Sequence, residues 1–384
     1  MPQHLQCDIC IISSAYPLRG GIANFTESLA ETLSASQKVV IHSYRKQYPN
    51  FLFPGKTQID SSPPSPRINA LTIFQTIHSF NPFSWKKSAK CILEQNPKTI
   101  IFAYFHPFFA ISNGWISRYI KRRNPKIKII ALVHNVHPNQ RMPFAFLLTK
   151  YFFVTCDSFI SLTHSVADQI KSFVPSAKIC EGFHPLYNQF GDKISQSESR
   201  SHLGLDPKGK YILFFGIIRP YKGLKYLLQA MKDERLIERD IRLIIAGESY
   251  MNNVEYSQQI EDLGIHDRVV FHNYFIPNQK VQDYFSASDL LVQPYSHVSQ
   301  SGILSIAMHF ELPAIVTKSG GLSERIKNGE TGYCIEQSPK AIADSIVDYF
   351  DNNRHDEFSR SIAKEKTKYT WEKLANQIID FATK

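Results

Sequence analysis

The feature that most constrains this chain is an alternation that runs almost from end to end. Short, continuous apolar runs are separated by stretches whose apolar residues recur at helical spacing. The first half reads CDICIISS, GIANFTESLAETLSA, KVVIHSY and KTIIFAYF, then a helix over about 108–121, IKIIALVH, a helix over roughly 143–154, SFISLT and AKIC. The second half repeats the logic with YILFFG, IRLIIAG, RVVFHNY, LLVQPY and PAIVT, again with helical sequence between. A strand that is apolar on both faces needs cover on both sides, and a helix between successive strands supplies it. The pattern therefore predicts parallel sheets in an α/β protein.

At 384 residues the chain exceeds one ordinary core, which predicts two domains. The polar stretch YNQFGDKISQSESRSHLGLDPKGK marks the boundary. The reading is a first domain over 1–190, a linker over 191–208, a second domain over 209–355, and a closing helix over 356–384. That helix carries Trp371 and is expected to pack back toward the first domain. Each domain is a doubly wound, Rossmann-like α/β unit, the two facing across a cleft. Ligands of such sheets sit beyond the carboxyl ends of the strands.

The formal net charge of +10 suggests a polyanionic neighbour: nucleic acid, anionic lipid or a phosphorylated substrate. The chain has no RNA-binding aromatic signature and no zinc-finger spacing, which disfavours nucleic acid. Cys7 and Cys10 form a C-x-x-C, but on a strand residues three apart point to opposite faces, so a shared metal or bridge is not expected. The scattered cysteines fit a reducing compartment. The first residues lack the basic and apolar regions of a signal peptide. The most apolar long stretch, PFAFLLTKYFFVTCDSFISL, is broken by Lys150 and Asp157 and is not a membrane span. The expected location is cytoplasmic, peripheral on the inner face of the membrane.

Three places read as anion sites. In FFGIIRPYKGLKYLLQA, Arg219 and Lys222 follow a buried strand that ends at Gly216, and a helix follows Gly223. An Arg fork, a Lys point charge and the positive end of a helix suit a diphosphate; the alternative is a turn with solvated cations. In VSQSGILSIAMHF, residues Gln300, Ser301 and Gly302 open a helix, as phosphate donors or as a plain N-cap. In YPLRGGIANF, Gly20 and Gly21 allow close backbone approach, or simply a tight turn. None of these is a G-x-G-x-x-G or a P-loop, so a nicotinamide cofactor is not expected. His134 ends one buried strand and His106 the neighbouring one, where an imidazole can donate to a bound group.

Taken together these segments resemble the GT-B glycosyltransferases, specifically the retaining glycosyltransferase family 4. FFGIIRPYKGL, IIAGE, FHNYFIPNQKVQDYFSASDLLVQPY and PAIVTKSGGLSERIKNGETGY follow in that family's order. The resemblance implies a nucleotide-sugar donor on the second domain. There Arg219 and Lys222 would hold the diphosphate, the segment His272, Asn273, Tyr274 and Phe275 would meet the base, and Gly216 and Glu248 would line the site. It implies a glycan or lipid-linked acceptor on the first domain, with Gly20, Gly21, His106 and Asn135 on the diphosphate side and His134 beside the transferred sugar. It also implies neither metal nor other cofactor. The sequence departs from the family's Glu-x(7)-Glu, for those positions are Val298 and Ile306. SQSGIL is similar to a branch with Gln-Ser-Gly, so Gln300, Ser301, Gly302 and Ile303 would take over donor contacts.

With no carboxylate nucleophile evident, departure and attack on one face of the sugar is the expected route. The basic run SRYIKRRNPKIK and the mixed segment FNPFSWKKSAK suggest an anionic membrane surface as a further partner; for the first, cations at a helix C-terminus are the alternative. The rival functions are another GT-B nucleotide-sugar enzyme, such as an epimerase or phosphorylase, and a catalytically inactive binding protein.

Overall fold

The computed structural model describes residues 5–48, 57–60, 63–136, 142–249 and 253–383. They form two compact units. Unit 1 is Met1–Phe183 with Trp371–Lys384, and unit 2 is His184–Thr370.

Unit 1 is built on the strands β1 (Ile9–Ile12), β2 (Val39–Lys46), β3 (Ile73–His78), β4 (Thr99–Tyr104), β5 (Lys128–Val133), β6 (Ser158–Ser161) and β7 (Ile179–Glu181). Their order is β3-β2-β1-β4-β5-β6-β7, with every pairing parallel. Every residue of β1 and β4 is buried, as continuous apolar runs require. Strand β3, IFQTIH, was not anticipated: it is an edge strand, half exposed, and its Gln and Thr interrupt the apolar run.

The helices Pro82–Gln95, Ala110–Arg123 and Ala145–Phe153 link β3 to β4, β4 to β5 and β5 to β6. All three crossovers run in the same direction across the sheet. Right-handedness therefore places these helices on one face, parallel, with their N-termini at the carboxyl ends of the strands. An aromatic core fixes them there. Phe152 meets Phe102 at 5.2 Å and Phe153 meets Tyr104 at 4.9 Å between ring centroids, and the Tyr104 hydroxyl lies 2.7 Å from Thr149 Oγ1. Burying each such ring contributes about 1.5–3 kcal/mol. Cys7 and Cys10 are free and buried in this core, and burial pushes the Cys7 thiol up to about 12.

Unit 2 is built on β8 (Lys210–Phe215), β9 (Ile241–Ala246), β10 (Val269–His272), β11 (Leu290–Gln293), β12 (Ala314–Thr317) and β13 (Gly332–Ile335). Their order is β10-β9-β8-β11-β12-β13, again all parallel. The unanticipated β13 is also an edge strand, only partly buried.

Two boundary expectations are corrected. Residues 191–208 are not a linker but contain the helix Gln196–His202, built into unit 2. Ser195 caps it by accepting from the Glu198 N–H at 3.3 Å, a capping signal present in the S-x-x-E of the sequence. Arg200, 3% exposed, anchors it by donating to the Ala287 and Pro207 carbonyls and to Asp289. The closing segment is likewise two helices, not one. His355–Lys366 belongs to unit 2, whereas Trp371–Thr383 belongs to unit 1, where Trp371 packs edge-on against Phe25 at 5.0 Å.

Candidate functional site

Both sheets reverse direction beside their first strand: between β1 and β4 in unit 1, and between β8 and β11 in unit 2. At such a reversal the connections leave to opposite sides and a crevice opens at the carboxyl ends. The anion-site residues of the sequence gather at these two places.

In unit 2, β8 ends at Gly216, whose φ of 93° lies in the left-handed region. A Cβ there would come within 3.0 Å of Ile303 Cδ1 and 3.2 Å of Lys222 Nζ. Gly216 and Lys222, from one turn, thus meet Ile303 from distant sequence at one point. Lys222 closes the short 3-10 turn Pro220–Lys222, which Arg219 enters in extended conformation. Gly223 follows at φ 70°, and a Cβ there would sit 2.0 Å from the Pro294 carbonyl oxygen, so only glycine passes. The helix beyond it, Leu224–Ala230, has only 7 residues, so the anion-binding character of this turn rests on the cations more than on a helix end.

Lys222 is 8% exposed, and its ammonium points past the Tyr295 ring at 5.5 Å from the centroid. Burial, and secondarily the charge of Arg219, bring its pKa down to about 7. The protein itself therefore compensates this buried cation poorly. A polyanion placed against it would supply a counter-charge.

The neighbouring strands complete the rim. Gly247 passes so close to Gly216 that a Cβ would lie 2.3 Å from the Gly216 carbonyl oxygen. The buried Glu248 accepts through its backbone carbonyl from the Ile218 N–H at 2.9 Å. After β10, Asn273 Oδ1 accepts from the Ser249 N–H at 2.9 Å, and His272 Nδ1 lies 2.7 Å from the Tyr284 hydroxyl. Burial holds the His272 imidazole below its usual range. Tyr274 stacks on it at 5.7 Å, and both Tyr274 and Phe275 are exposed, as a platform for a flat ring would be.

Ser301 caps the helix Gly302–His309, accepting from the Leu304 N–H at 3.3 Å and from Gln293 Nε2 at 3.1 Å. Gly302 owes its missing side chain to Tyr187, whose Cε2 would lie 3.0 Å from a Cβ. The Tyr187 hydroxyl lies 3.3 Å from His184 Nε2, and burial lowers the pKa of that histidine to about 4. Gln300 is half-buried and immediately precedes this cap. Tyr187, Gln293 and Tyr295 are supports that the sequence reading missed. For Gln293 and Tyr295 the signal is a glutamine and a tyrosine in the apolar run LLVQPY; Tyr187 opens a polar stretch and carries no such signal.

The rim of unit 1 is different. Gly20 has φ 120° and ends the loop after β1; Gly21 starts the helix Gly21–Ser34. A Cβ on either would meet nothing within 4 Å, so both face open space. Behind them Glu27, also missed, accepts from the Tyr16 N–H at 2.7 Å and pins the loop. Burial raises its pKa to about 7 against the lowering effect of that hydrogen bond. His134 is buried at the end of β5, its ring edge-on to Phe25 at 4.7 Å. His106 Nδ1 accepts from the Phe108 N–H at 3.2 Å and caps the turn Pro107–Phe109. Asn135, half-buried, follows His134 at the same rim.

The basic run from Ser117 to Lys128 divides. Lys121 pairs with Asp157 at 2.7 Å, Arg118 lies 3.8 Å over the Tyr151 ring, and Arg123 lies 3.5 Å over the Tyr119 ring. Lys126 and Lys128 instead line a groove of about 840 Å³ with Lys38 and Lys98, at the amino ends of the strands. The run is thus not one continuous patch. No group of three or more His, Cys, Asp or Glu able to hold a metal occurs among the described residues. No helix among them is long and apolar enough to cross a membrane.

Residues 195–369 match the family glycosyl transferases group 1, which covers most of unit 2. Over 192 residues the chain is 29% identical to a D-inositol 3-phosphate glycosyltransferase of Corynebacterium glutamicum, covering 48% of this chain and 44% of the relative. The chain thus spans less than half the length of that relative. Along nearly its whole length it resembles the sucrose-phosphate synthase of Thermosynechococcus elongatus, with a TM-score of 0.77, 18% identity and 97% of each chain covered. It also resembles HepE of Anabaena solved in complex with UDP-glucose, with a TM-score of 0.74, 15% identity, and 98% and 100% covered. The two Rossmann-like parallel-sheet units are those of the GT-B fold.

Proposed function

We propose that this chain is a retaining glycosyltransferase of the GT-B fold that moves a hexose from a nucleoside-diphosphate sugar to a glycan or lipid-linked acceptor, in the synthesis of surface polysaccharide or glycolipid. The observation that carries the reading is the convergence of Gly216, buried Lys222 and Ile303 at the strand-order reversal of unit 2, within the segment that matches group 1 glycosyl transferases. HepE, bound to UDP-glucose in its own structure, supports a nucleotide-sugar donor.

In this reading the diphosphate rests against Arg219 and Lys222, with no metal needed to offset its charge. Gly216 and Gly247 let the backbone approach, Tyr274 and Phe275 meet the base, and Gln300 to Ile303 contact the sugar side. As the glycosidic bond breaks, negative charge grows on the departing diphosphate. Fixed cations already aimed there lower the barrier without reorganising. Lys222 gains most, because the new charge restores the counter-ion that its burial denies it. Unit 1 takes the acceptor at its open rim. There Gly20 and Gly21 leave room beside His134 and Asn135.

Thermal melting in a panel of nucleoside diphosphates, wild type beside Arg219→Ala, tests this. A ligand that binds only the native state raises the melting temperature by mass action. A rise with one diphosphate that disappears in Arg219→Ala is expected. A rise that persists in the variant removes Arg219 from the site. Incubation with the matching sugar nucleotide and acceptor, read by the anomeric configuration of the product, then tests retention. One observation favours a binding-only protein: the family's glutamate positions are Val298 and Ile306, which cannot ionise. Donor binding without turnover on any acceptor would select that reading.

A further inference from the structure

The outer surface of the helix Ala145–Phe153 breaks a rule. A helix on the outside of a globular unit turns its polar side to water. This one exposes Phe144, Phe146, Leu147, Tyr151 and Val154, while its opposite side packs Phe152 and Phe153 into the core. It is apolar all round, yet lies on the surface. Phe144 is 74% exposed and held at φ 59°, a conformation bulky side chains rarely adopt.

The two helices parallel to it share the arrangement. Phe80 and Phe83 stand exposed at the start of Pro82–Gln95, with Phe83 at 84%, and Ile111 stands exposed at the start of Ala110–Arg123. Because the three crossovers are parallel, these starts share one end of the unit: the carboxyl ends of the strands, where Gly20 and His134 also lie. Six of the large hydrophobic residues exposed among the described residues, Phe80, Phe83, Ile111, Phe144, Phe146 and Leu147, lie at or just before the starts of these three helices. A scatter of single exposed side chains would need no account; a concentration at one rim does.

Cations follow the apolar tips down each helix. Lys86, Lys87 and Lys90 come after Phe83, Arg118 and Arg122 after Ile111, and Lys150 after Leu147, although Arg118 is held over the Tyr151 ring and exposed Tyr151 and Val154 follow Lys150 at the far end. At about 1.5 Å per residue, the first cation lies roughly 5–10 Å behind the apolar tip on each helix. The three helices together hold a single acid, Glu94, near the end of the first.

We infer that this banded rim of unit 1 docks on an anionic lipid bilayer, with the aromatic and leucine tips in the acyl boundary and the lysine and arginine belt at the phosphates. The spacing matches the 5–10 Å to which interfacial helices bury their apolar side. The charge complementarity selects an anionic lipid surface over a neutral one or an apolar protein partner. The inference deepens the acceptor reading above: a bilayer at the carboxyl rim presents a lipid-linked acceptor to the open end of the sheet. The docking itself needs neither donor nor turnover.

Co-sedimentation of the full chain with vesicles tests it, with no substrate present, so failure here leaves the transferase reading untouched. Vesicles of equal parts phosphatidylglycerol and phosphatidylcholine are set against pure phosphatidylcholine. Binding to the anionic vesicles is expected, weakened about tenfold or more in Phe83→Ser with Leu147→Ser. Lys86→Glu with Lys87→Glu is expected to weaken it by at least about 25-fold, at roughly fivefold per cation. Both variants should keep the wild-type melting temperature, and the charge-reversed pair decides alone if the serine pair melts lower. Equal binding to both vesicle types, or variants that bind as wild type does, overturns the inference. So does light scattering that shows a wild-type dimer broken in Phe83→Ser with Leu147→Ser, which assigns the rim to a second copy of this chain.

Discussion

The six strands of unit 2 follow the order of the first six of unit 1, yet the rims at the two reversals differ. In unit 2 the rim is filled: Gly216, Lys222 and Ile303 crowd one point, and the glycines around them are there because backbone stands in the way. In unit 1 the described residues leave more room: a Cβ on Gly20 or Gly21 would meet nothing within 4 Å, and His106 caps the turn Pro107–Phe109. The same topology thus yields a rim crowded around a fixed charge in one unit and, among the described residues, a roomier rim in the other. On the proposed reading the cradle suits a diphosphate, which is common to many donors. Acceptors differ in size and shape, and an open bay suits them.

The largest contrast is expected at the glycines. Gly223→Ala must push a methyl into the Pro294 carbonyl, which lies 2.0 Å from the new Cβ, at a left-handed φ as well. Unit 2 is expected to lose its cooperative melting. Gly21→Ala meets nothing and is expected to leave the melting temperature unchanged or raised, since alanine outperforms glycine in a helix by roughly 0.5–1 kcal/mol. Lost turnover with intact melting in Gly21→Ala would mean that a ligand uses the space, and would sharpen the view of unit 1 as a bay.

Next come the charges. Arg219→Ala or Lys222→Ala should lower kcat by about 10²–10³, the size seen when one fixed donor to a developing anion is removed. His106→Ala should cost about 1 kcal/mol of stability through its lost cap and leave turnover near normal. Near-normal turnover in both cation variants, or a collapse in His106→Ala, would reverse the roles given to the two rims.

The pH responses differ in sign, because burial acts on opposite charges. Lys222 has a folded pKa near 7, below its unfolded 10.5, so between those values the unfolded chain binds more protons. Its burial costs most below pH 7, and the cost fades as pH rises. A bound diphosphate restores the proton, so diphosphate affinity should fall up to about tenfold per pH unit above about 7, and less steeply in Lys222→Met. Titration calorimetry in two buffers of different ionisation enthalpy would show the proton taken up. Glu27 runs the other way, with a folded pKa near 7 above its unfolded 4.5, so stability is lost as pH rises through that window. Asp60 adds to this effect and Arg67 opposes it. Glu27→Gln should melt a few degrees higher than wild type at pH 8 and no higher at pH 5, the smallest of these effects.

The sequence disclosed the strands that are apolar on both faces, because nothing but a covered parallel sheet accepts such runs. It concealed β3 and β13, which lie at edges, where one side is wet and polar residues are free to enter. The helix Gln196–His202 was legible in its S-x-x-E but was read as a linker because its composition is polar; the buried Arg200 fixes it to Asp289 in unit 2. At the site, the cations were legible as residue types after a strand. The burial of Lys222 was not, since it depends on Ile303 and Tyr295 arriving from distant sequence. Glu27 was invisible for the same reason: a glutamate on a helix reads as solvated until the loop above it closes.

The last helix has a consequence for how the chain comes into being. Unit 2 is inserted within unit 1, and its two ends are tied by the Leu186 N–H donating to the Tyr369 carbonyl at 3.0 Å. A ribosome that has finished Phe183 has made a sheet still lacking Trp371, the ring that lies against Phe25, which in turn meets His134. At synthesis rates of about 5–20 residues per second, the first-made unit waits roughly ten to forty seconds for its closing piece. Unit 2, with its ends already joined, can mature first although it is made second.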